Sequence, residues 1–162
     1  MDKIQKKIRV LLALFITGLV LSGITAFPIQ WEVSLLQGHT TLMPQGLRAM
    51  YEQVSEGVLQ TNQHYPFLAY GTDWLAFSHI VIALFFLPVL KHPVQYIANI
   101  EMGLVACIGV FLLAFCCGPI RGIPFFWQLI DCSFGVGGGL LLLVIRKNIL
   151  LLKANSTNLS AS

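Results

Sequence analysis

Charged side chains are scarce in this sequence, and their scarcity excludes a soluble globular domain. Of its 162 residues only 10% are charged, whereas soluble domains carry about 25%. Hydrophobic residues make up 56% of the chain, and the mean hydropathy is +0.77. The net charge of +3 comes from Lys and Arg beside apolar runs, so we predict no nucleic-acid partner. The composition is that of an integral membrane protein with one domain.

Several chemical signatures are also missing. No glycine-rich phosphate loop and no G-x-S-x-G elbow is found, and Ser78 cannot face the adjacent His79 on a helix. The histidines lack the H-x-x-x-H spacing of a metal site, so we predict no bound metal. A haem held between membrane-spanning helices would need two histidines there, and only His79 qualifies. We therefore predict no cofactor.

Four long apolar runs are present instead. Each is close to the roughly 20 residues that a membrane-spanning helix needs. They predict spans at residues 10–27, 74–90, 96–117 and 125–145. The predicted fold is an all-α, four-transmembrane-helix bundle in a single domain, residues 1–153. The polar segment 154–162 is expected to be a disordered cytoplasmic tail.

The first apolar run also admits a second interpretation. It follows basic residues, as a secretory signal peptide does, and Gly23 and Thr25 supply small residues for cleavage after residue 25. Its 18 apolar residues are long for a signal peptide. A small-residue stripe, Gly18, Ser22 and Ala26, also suits permanent packing in a bundle. We therefore expect an uncleaved first span.

A long connection, residues 28–73, contains a predicted amphipathic helix at about 44–61. Apolar residues recur there with helical spacing, at Leu47, Met50, Tyr51, Val54 and Val58. We expect this helix to lie on the membrane surface or across the mouth of the bundle.

The basic residues are distributed unevenly about the predicted spans. One side carries eight, namely Lys3, Lys6, Lys7, Arg9, Lys91, Arg146, Lys147 and Lys153. The other side carries only Arg48 and Arg121. The positive-inside rule therefore predicts a multi-pass protein of the cytoplasmic (inner) membrane, with both termini in the cytoplasm and residues 28–73 outside.

The four cysteines form no C-x-x-C pair, and the long outer loop contains none. Cys116, Cys117 and Cys132 lie toward the predicted outer side, so a disulfide between the third and fourth spans is an alternative to buried free thiols. Four spans with a long first outer loop resemble the layout of quinone-linked thiol oxidoreductases of the vitamin K epoxide reductase kind. Their redox cysteine pattern is absent here, which disfavours redox catalysis.

One acid, Asp131, lies inside the fourth apolar run. Asp131, Gly135 and Gly139 recur at i, i+4 and i+8 and so share one helix face. The two glycines form a G-x-x-x-G pair, which admits close approach of another helix and offers an interface for a homo-oligomer. A carboxylate in mid-bilayer costs about 2.5–3.5 kcal/mol on insertion scales, so Asp131 is expected to have a partner or a function.

His79 is the expected partner of Asp131. At a rise of about 1.5 Å per residue, both lie roughly 9–10 Å below the predicted outer boundary. The further residues assigned to this predicted ligand-binding site are Arg121, Gln128, Asp73 and Trp127, the last of which also fits an interfacial aromatic belt. Glu32 is not assigned to the site, although its side chain is long enough to reach toward it. The alternative is that the pair only ties two helices together. Glu101, near the cytoplasmic end, is expected to pair with Lys91 or Arg146.

Three functions fit these residues. We favour a non-enzymatic binding or accessory protein whose outer-leaflet pocket holds a membrane lipid or another amphipathic molecule. The second hypothesis is a small membrane enzyme on a lipophilic substrate, with His79 as acid or base and Asp131 orienting it. The third is a proton-coupled transporter, which is less favoured because the inner half of the bundle is aliphatic apart from Glu101.

Overall fold

A computed structural model describes the backbone of residues 2–160 and the side chains of residues 3–156. Within this range the chain is helical and has no β-strand. The helices are α1 (Asp2–Ala26), α2 (Ile29–Gln37), α3 (Gln45–His64), α4 (Pro66–Lys91), α5 (Ile97–Ile120) and α6 (Phe125–Ser160). A short 3-10 helix, Thr40–Leu42, lies between α2 and α3.

Four helices, α1, α4, α5 and α6, are long and apolar enough to cross a membrane. Each of them overlaps one of the four predicted spans. The all-helical class and the number of span-length helices are therefore confirmed for the described residues. α4 begins at Pro66, well before the predicted start at residue 74. Proline is tolerated in the first turn of a helix, and Phe67, Leu68 and Ala69 continue it.

α6 is longer than the apolar run that predicts it. It continues to Ser160 because no glycine or proline follows Gly139 and because Leu150, Leu151 and Leu152 favour helix. Its last turns therefore include most of the segment that the sequence analysis assigns to a disordered tail. Residues 161 and 162 of that segment lie outside the described residues.

The chain divides into two compact units. Unit 1 comprises Met1–Thr17 and Leu84–Ser162. Its largest fully buried side chains are Ile8, Leu12, Val89, Ile100, Leu142, Ile145 and Ile149. Phe15 and Phe86 meet edge to face with their ring centroids 4.9 Å apart. These apolar contacts form the core of unit 1.

α5 and α6 approach closely along the glycine stripe of α6. A Cβ atom at Gly135 would lie 3.0 Å from the carbonyl oxygen of Cys107, and one at Gly139 would lie 3.7 Å from the Cβ of Cys107. The prediction that these glycines admit a second helix is therefore confirmed for α5 of the same chain. A homo-oligomer through Gly135 and Gly139 stays a prediction.

The turn between α5 and α6 has a Schellman geometry. The backbone N–H of Ile123 donates to the carbonyl of Gly118 at 2.9 Å, and that of Gly122 donates to Pro119 at 3.1 Å. Gly122 has a φ of 69°, which glycine adopts without a steric penalty. Pro124 then precedes α6. This turn holds the start of α6 in a fixed position after the end of α5.

Unit 2 is Gly18–Ala83 and contains the end of α1, α2, α3 and the start of α4. α1 and α4 meet at Gly23, where a Cβ atom would lie only 2.7 Å from the carbonyl oxygen of Ala76. Neither α2 nor α3 has a buried residue. Two hydrogen bonds join them instead, from the Tyr51 hydroxyl to the Val33 carbonyl (2.5 Å) and from the Asn62 amide to the side-chain oxygen of Gln30 (3.0 Å).

The segment between the first two spans is more helical than the sequence analysis predicts. α3, at Gln45–His64, matches the helix predicted at about 44–61. Its placement on a membrane surface stays a prediction. α2 is absent from the prediction. Its signal is the spacing of Ile29, Val33 and Leu36 at i, i+4 and i+7, which is helical but too short to stand out.

Candidate functional site

A cavity of about 550 Å³ opens in unit 2 beside α2. The residues that line it come from the α1–α2 junction, α2, α3 and the first turns of α4; they are Phe27, Pro28, Ile29, Gln30, Trp31, Ser34, Asn62, Ala69, Thr72 and Asp73. Aromatic and aliphatic side chains are thus combined with amide, hydroxyl and carboxylate groups. This size and this mixture are typical of a small-molecule site.

Asp73 is the only charged residue that lines this cavity. It is partly buried, and neither of the ion pairs among the described side chains involves it. The neighbouring Thr72 donates its hydroxyl to the Ala69 carbonyl at 2.6 Å, so its oxygen lone pairs stay available as acceptors. The cavity therefore presents a carboxylate and acceptor oxygens without a basic side chain.

A second cavity, of about 580 Å³, lies between α2 and α3 and shares Gln30 and Ser34 with the first. The hydroxyl of Ser55 lines it and is buried without a hydrogen-bond partner in the described part of the chain. An unsatisfied buried hydroxyl costs about 1–3 kcal/mol, so a polar group bound here would be stabilising. Both cavities lie in unit 2, and both have polar side chains in their lining.

His79 lies on α4 in unit 2 and is partly buried. Its Nδ1 is 2.8 Å from the carbonyl oxygen of Leu75, one turn earlier. Because a carbonyl can only accept, Nδ1 carries the proton of this contact, and the neutral imidazole then keeps Nε2 as its acceptor. Gly23 packs close by, since a Cβ atom there would lie 3.3 Å from the Cβ of His79. The tautomer with its proton on Nδ1 is the one that makes the contact with the Leu75 carbonyl.

The other predicted site residues belong to unit 1, at the α5–α6 turn and the start of α6. Arg121 caps the end of α5 and is exposed. Trp127 is 36% exposed. Asp131 is partly buried and lies one turn before Gly135 on the stripe that meets α5. These residues lie on the α5–α6 turn and on the first two turns of α6.

Gln128 is 5% exposed and has a local structural partner. Its Nε2 donates to the Ile123 carbonyl at 2.8 Å. Its side chain also fills the space over Gly118, where a Cβ atom would lie 2.8 Å from the Cδ of Gln128. Gln128 therefore stabilises the α5–α6 turn, and the ligand-binding role assigned to it from the sequence stays a prediction.

The predicted site residues thus fall into two groups. Asp73 and His79 lie on α4 in unit 2, and the group at the α5–α6 turn lies in unit 1. The predicted pairing of His79 with Asp131 joins residues of different units and stays a prediction. Gln30 and Asn62 also line the cavity but are not among the predicted site residues. Polar residues in a connecting segment have no spacing that would mark them as part of a site.

An interhelical ion pair stands at the far end of unit 1 from the α5–α6 turn. Nε and Nη2 of Arg146 on α6 both donate to Oε1 of Glu101 on α5, at 3.0 and 2.9 Å. Of the two partners that the sequence suggests for Glu101, Arg146 is confirmed. The two side chains are 44% and 40% exposed for Glu101 and Arg146, so the pair is a solvated tie between α5 and α6.

The four cysteines are free thiols in the structure. Cys132 is buried, Cys107 is partly buried, and Cys116 and Cys117 are exposed. The thiols are therefore free, as one of the two interpretations of the sequence expects, but the expected burial is wrong for Cys116 and Cys117. Cys107 has a packing role, because it occupies the contact with Gly135 and Gly139.

Metal-ligating side chains are dispersed rather than grouped. Among the side chains of residues 3–156, no three His, Cys, Asp or Glu residues are arranged to hold a metal ion. The chemistry of the site thus consists of Asp73 with the acceptor groups near it, and of His79 on the same helix.

No protein-family model matches this chain, and no curated protein and no solved structure matches it.

Proposed function

We propose that this chain is a multi-pass membrane protein that binds an amphipathic molecule in the cavity of unit 2. One observation carries the proposal: Asp73 and Trp31 line the same cavity of about 550 Å³, and no basic residue lines it with them. A carboxylate and an aromatic side chain in one cavity suit a cationic head group. Ile29 and Phe27 offer an apolar surface to a hydrocarbon chain. A binding or accessory role is therefore favoured over catalysis.

The proposed topology has both termini in the cytoplasm and residues 28–73 outside the inner membrane. The uneven distribution of Lys and Arg supports this orientation. In this arrangement α3 lies at the outer membrane surface, and its exposed apolar residues, Leu47 (41%), Val54 (40%) and Leu59 (50%), contact lipid. The cavity then opens at the level where an amphipathic molecule has one end in lipid and the other in water.

Quenching of Trp31 fluorescence tests the proposal. The variant W74F/W127F retains Trp31 as its single tryptophan. In lipid nanodiscs, an alkyltrimethylammonium with a brominated chain should quench Trp31 in a saturable way. Asp73→Asn should weaken this binding about tenfold, or by about 1.4 kcal/mol, because it removes the negative charge that attracts the quaternary ammonium of the probe.

Glu32→Gln is the matched control, since it also removes one carboxylate close to Trp31 but Glu32 does not line the cavity. This variant should bind the probe as tightly as its parent. Equal affinity for Asp73→Asn and the parent would rule out Asp73 as the head-group contact, and quenching that rises without saturation would rule out the site.

A second candidate function is a membrane enzyme in which His79 acts as the base. It is favoured by one observation, the 2.8 Å contact that fixes Nδ1 of His79 and leaves Nε2 as the acceptor. Incubating the purified protein with a total membrane lipid extract, followed by mass spectrometry of the lipids, separates the two functions. An enzyme makes a product that His79→Gln abolishes without lowering the melting temperature, whereas a binding protein leaves the extract unchanged.

A further inference from the structure

A groove on α1 combines basic and aliphatic side chains in an order that matches a phospholipid. It has a volume of about 320 Å³ and is lined by Lys3, Lys6, Lys7, Val10 and Leu11. These residues follow one another at i, i+3, i+4, i+7 and i+8, so they share one face of the helix. The three lysines are exposed, and neither ion pair among the described side chains involves them.

A groove on α6 of the same unit repeats this combination. It has a volume of about 430 Å³ and is lined by Leu143, Arg146, Lys147, Leu150 and Leu151. Arg146 is engaged by Glu101, whereas no ion pair among the described side chains engages the three lysines of the α1 groove. The α1 groove is therefore the more strongly basic of the two and the better site for an anion.

We propose that the α1 groove binds an anionic phospholipid of the cytoplasmic leaflet. The ammonium groups of Lys3, Lys6 and Lys7 contact its phosphate, and Val10 and Leu11 contact the first carbons of its acyl chains. Basic pockets beside membrane-spanning helices attract anionic head groups, and lysine stems pack on apolar surface while their charges stay in the head-group region. The inference rests on the membrane insertion and orientation proposed above and is independent of the ligand cavity in unit 2.

The arrangement of the lysines distinguishes this site from a general surplus of positive charge. Arg9 and Lys91 belong to the same predicted cytoplasmic side, but neither lines the groove. A diffuse attraction to the membrane surface would depend on the number of cations and not on which ones are present. A site depends on the three lysines that stand beside Val10 and Leu11.

Native mass spectrometry of the full-length chain, titrated with phosphatidylglycerol or phosphatidylcholine in detergent, tests the proposal. The wild-type protein should retain phosphatidylglycerol in preference to phosphatidylcholine. K3Q/K6Q/K7Q should weaken retention of phosphatidylglycerol by about fivefold per lysine, or roughly 100-fold in all. The control R9Q/K91Q/K153Q removes the same number of basic residues from the same predicted side, at positions that line neither groove, and should stay within about threefold of the wild-type affinity.

Two further arms complete the experiment. In the first, K3R/K6R/K7R keeps the positive charge and should keep most of the phosphatidylglycerol binding. In the second, soluble glycerol phosphate should fail to displace the lipid, because glycerol phosphate lacks acyl chains. Equal losses in the Gln triple and in its control would overturn the site in favour of diffuse charge. Displacement by glycerol phosphate at the affinity of the lipid would overturn the phospholipid in favour of a free phosphate.

The Trp31 quenching assay, run on the same variants, separates this inference from the proposed function. The Gln triple should quench as its parent does, because the cavity of unit 2 contains none of the three lysines. If K3Q/K6Q/K7Q loses both phosphatidylglycerol binding and Trp31 quenching, K3R/K6R/K7R shows whether the Gln variant is misfolded or has lost the site. Loss of phosphatidylglycerol binding in the Arg triple with intact quenching would contradict the charge-based contact.

Discussion

The two units of the chain have similar apolar residues but pack them differently. Among the described residues, every large side chain that is fully buried belongs to unit 1. The buried hydrophobic residues of unit 2 are the small Ala76 and Ala83, and α2 and α3 bury none. Unit 2 is held by a close helix contact at Gly23 and by a few hydrogen bonds, and it contains the cavities of about 550 and 580 Å³.

The two units therefore differ in the contacts that hold them together. Dense packing of unit 1 stabilises the folded chain, because interior contacts and the absence of voids supply most of the stability of a helical bundle. The sparse packing of unit 2 leaves two cavities beside α2 and α3. Ligand-binding segments are generally drawn from the less stable part of a protein.

The largest expected effect belongs to the core of unit 1. Leu142 is fully buried, and Leu142→Ala should lower the free energy of unfolding by about 3 kcal/mol, since it removes packed atoms and leaves a cavity. Leu143, next to it on α6, is 52% exposed, and Leu143→Ala should change stability by less than about 0.5 kcal/mol. Unfolding in mixed micelles with increasing SDS measures both. Equal effects would mean that unit 1 is not the packed scaffold.

The next effect tests the one tight contact of unit 2. Gly23→Ala should destabilise the chain by about 2 kcal/mol, because the added methyl meets the carbonyl oxygen of Ala76 at 2.7 Å. Gly18→Ala is the control on the same helix, since a Cβ atom there has no neighbour within 4 Å, and it should be neutral or slightly stabilising. Melting temperatures in detergent compare the two. A larger loss for Gly23→Ala than for Leu142→Ala would break the contrast between the units.

A smaller effect is expected where α3 is tied to α2. Tyr51→Phe removes the 2.5 Å hydrogen bond to the Val33 carbonyl and should cost about 1 kcal/mol, confined to unit 2. Hydrogen exchange of α3 amides should therefore become about fivefold faster, with no change in α5 and α6. Tyr65→Phe, at a residue that is 55% exposed, should leave exchange unchanged. Faster exchange in α5 and α6 as well would show that the units unfold together.

The smallest effect belongs to the ion pair of Glu101 and Arg146. Both partners are more than a third exposed, so a double-mutant cycle with E101Q and R146Q should give a coupling energy of about 0.5 kcal/mol. The Arg48–Glu52 pair on α3, which is more exposed, should couple less strongly. Stronger coupling on α3 than between α5 and α6 would contradict the expectation that the coupling energy of an ion pair falls as its exposure rises.

The four span-length helices could be predicted because long apolar runs have few alternatives to helix in a membrane protein. The contact at Gly135 and Gly139 was also predictable, since the i, i+4 spacing of glycines fixes a helix face by itself. Position near the cytoplasmic end reduced the partners of Glu101 to Lys91 or Arg146, and the structure contains the pair with Arg146. In each case the deciding information is local in sequence or depends only on distance along a helix.

The cavity residues were harder to predict for a physical reason. Gln30 and Asn62 come together because α2 and α3 fold against each other, and no local pattern records that long-range contact. Gln128 was assigned to a ligand because it is polar and at the right depth, whereas its partners are the carbonyl of Ile123 and the space over Gly118. Gly118 makes room for the side chain of Gln128, but nothing in the sequence around Gln128 indicates that this space exists.

Hydrogen exchange of the protein in nanodiscs, with and without dodecyltrimethylammonium, tests the central claim most directly. We predict that the probe slows exchange in α2, α3 and the first turns of α4, that this protection is lost in Asp73→Asn, and that α5 and α6 are unaffected. Protection confined to α5 and α6, or equal protection in Asp73→Asn, would contradict the account.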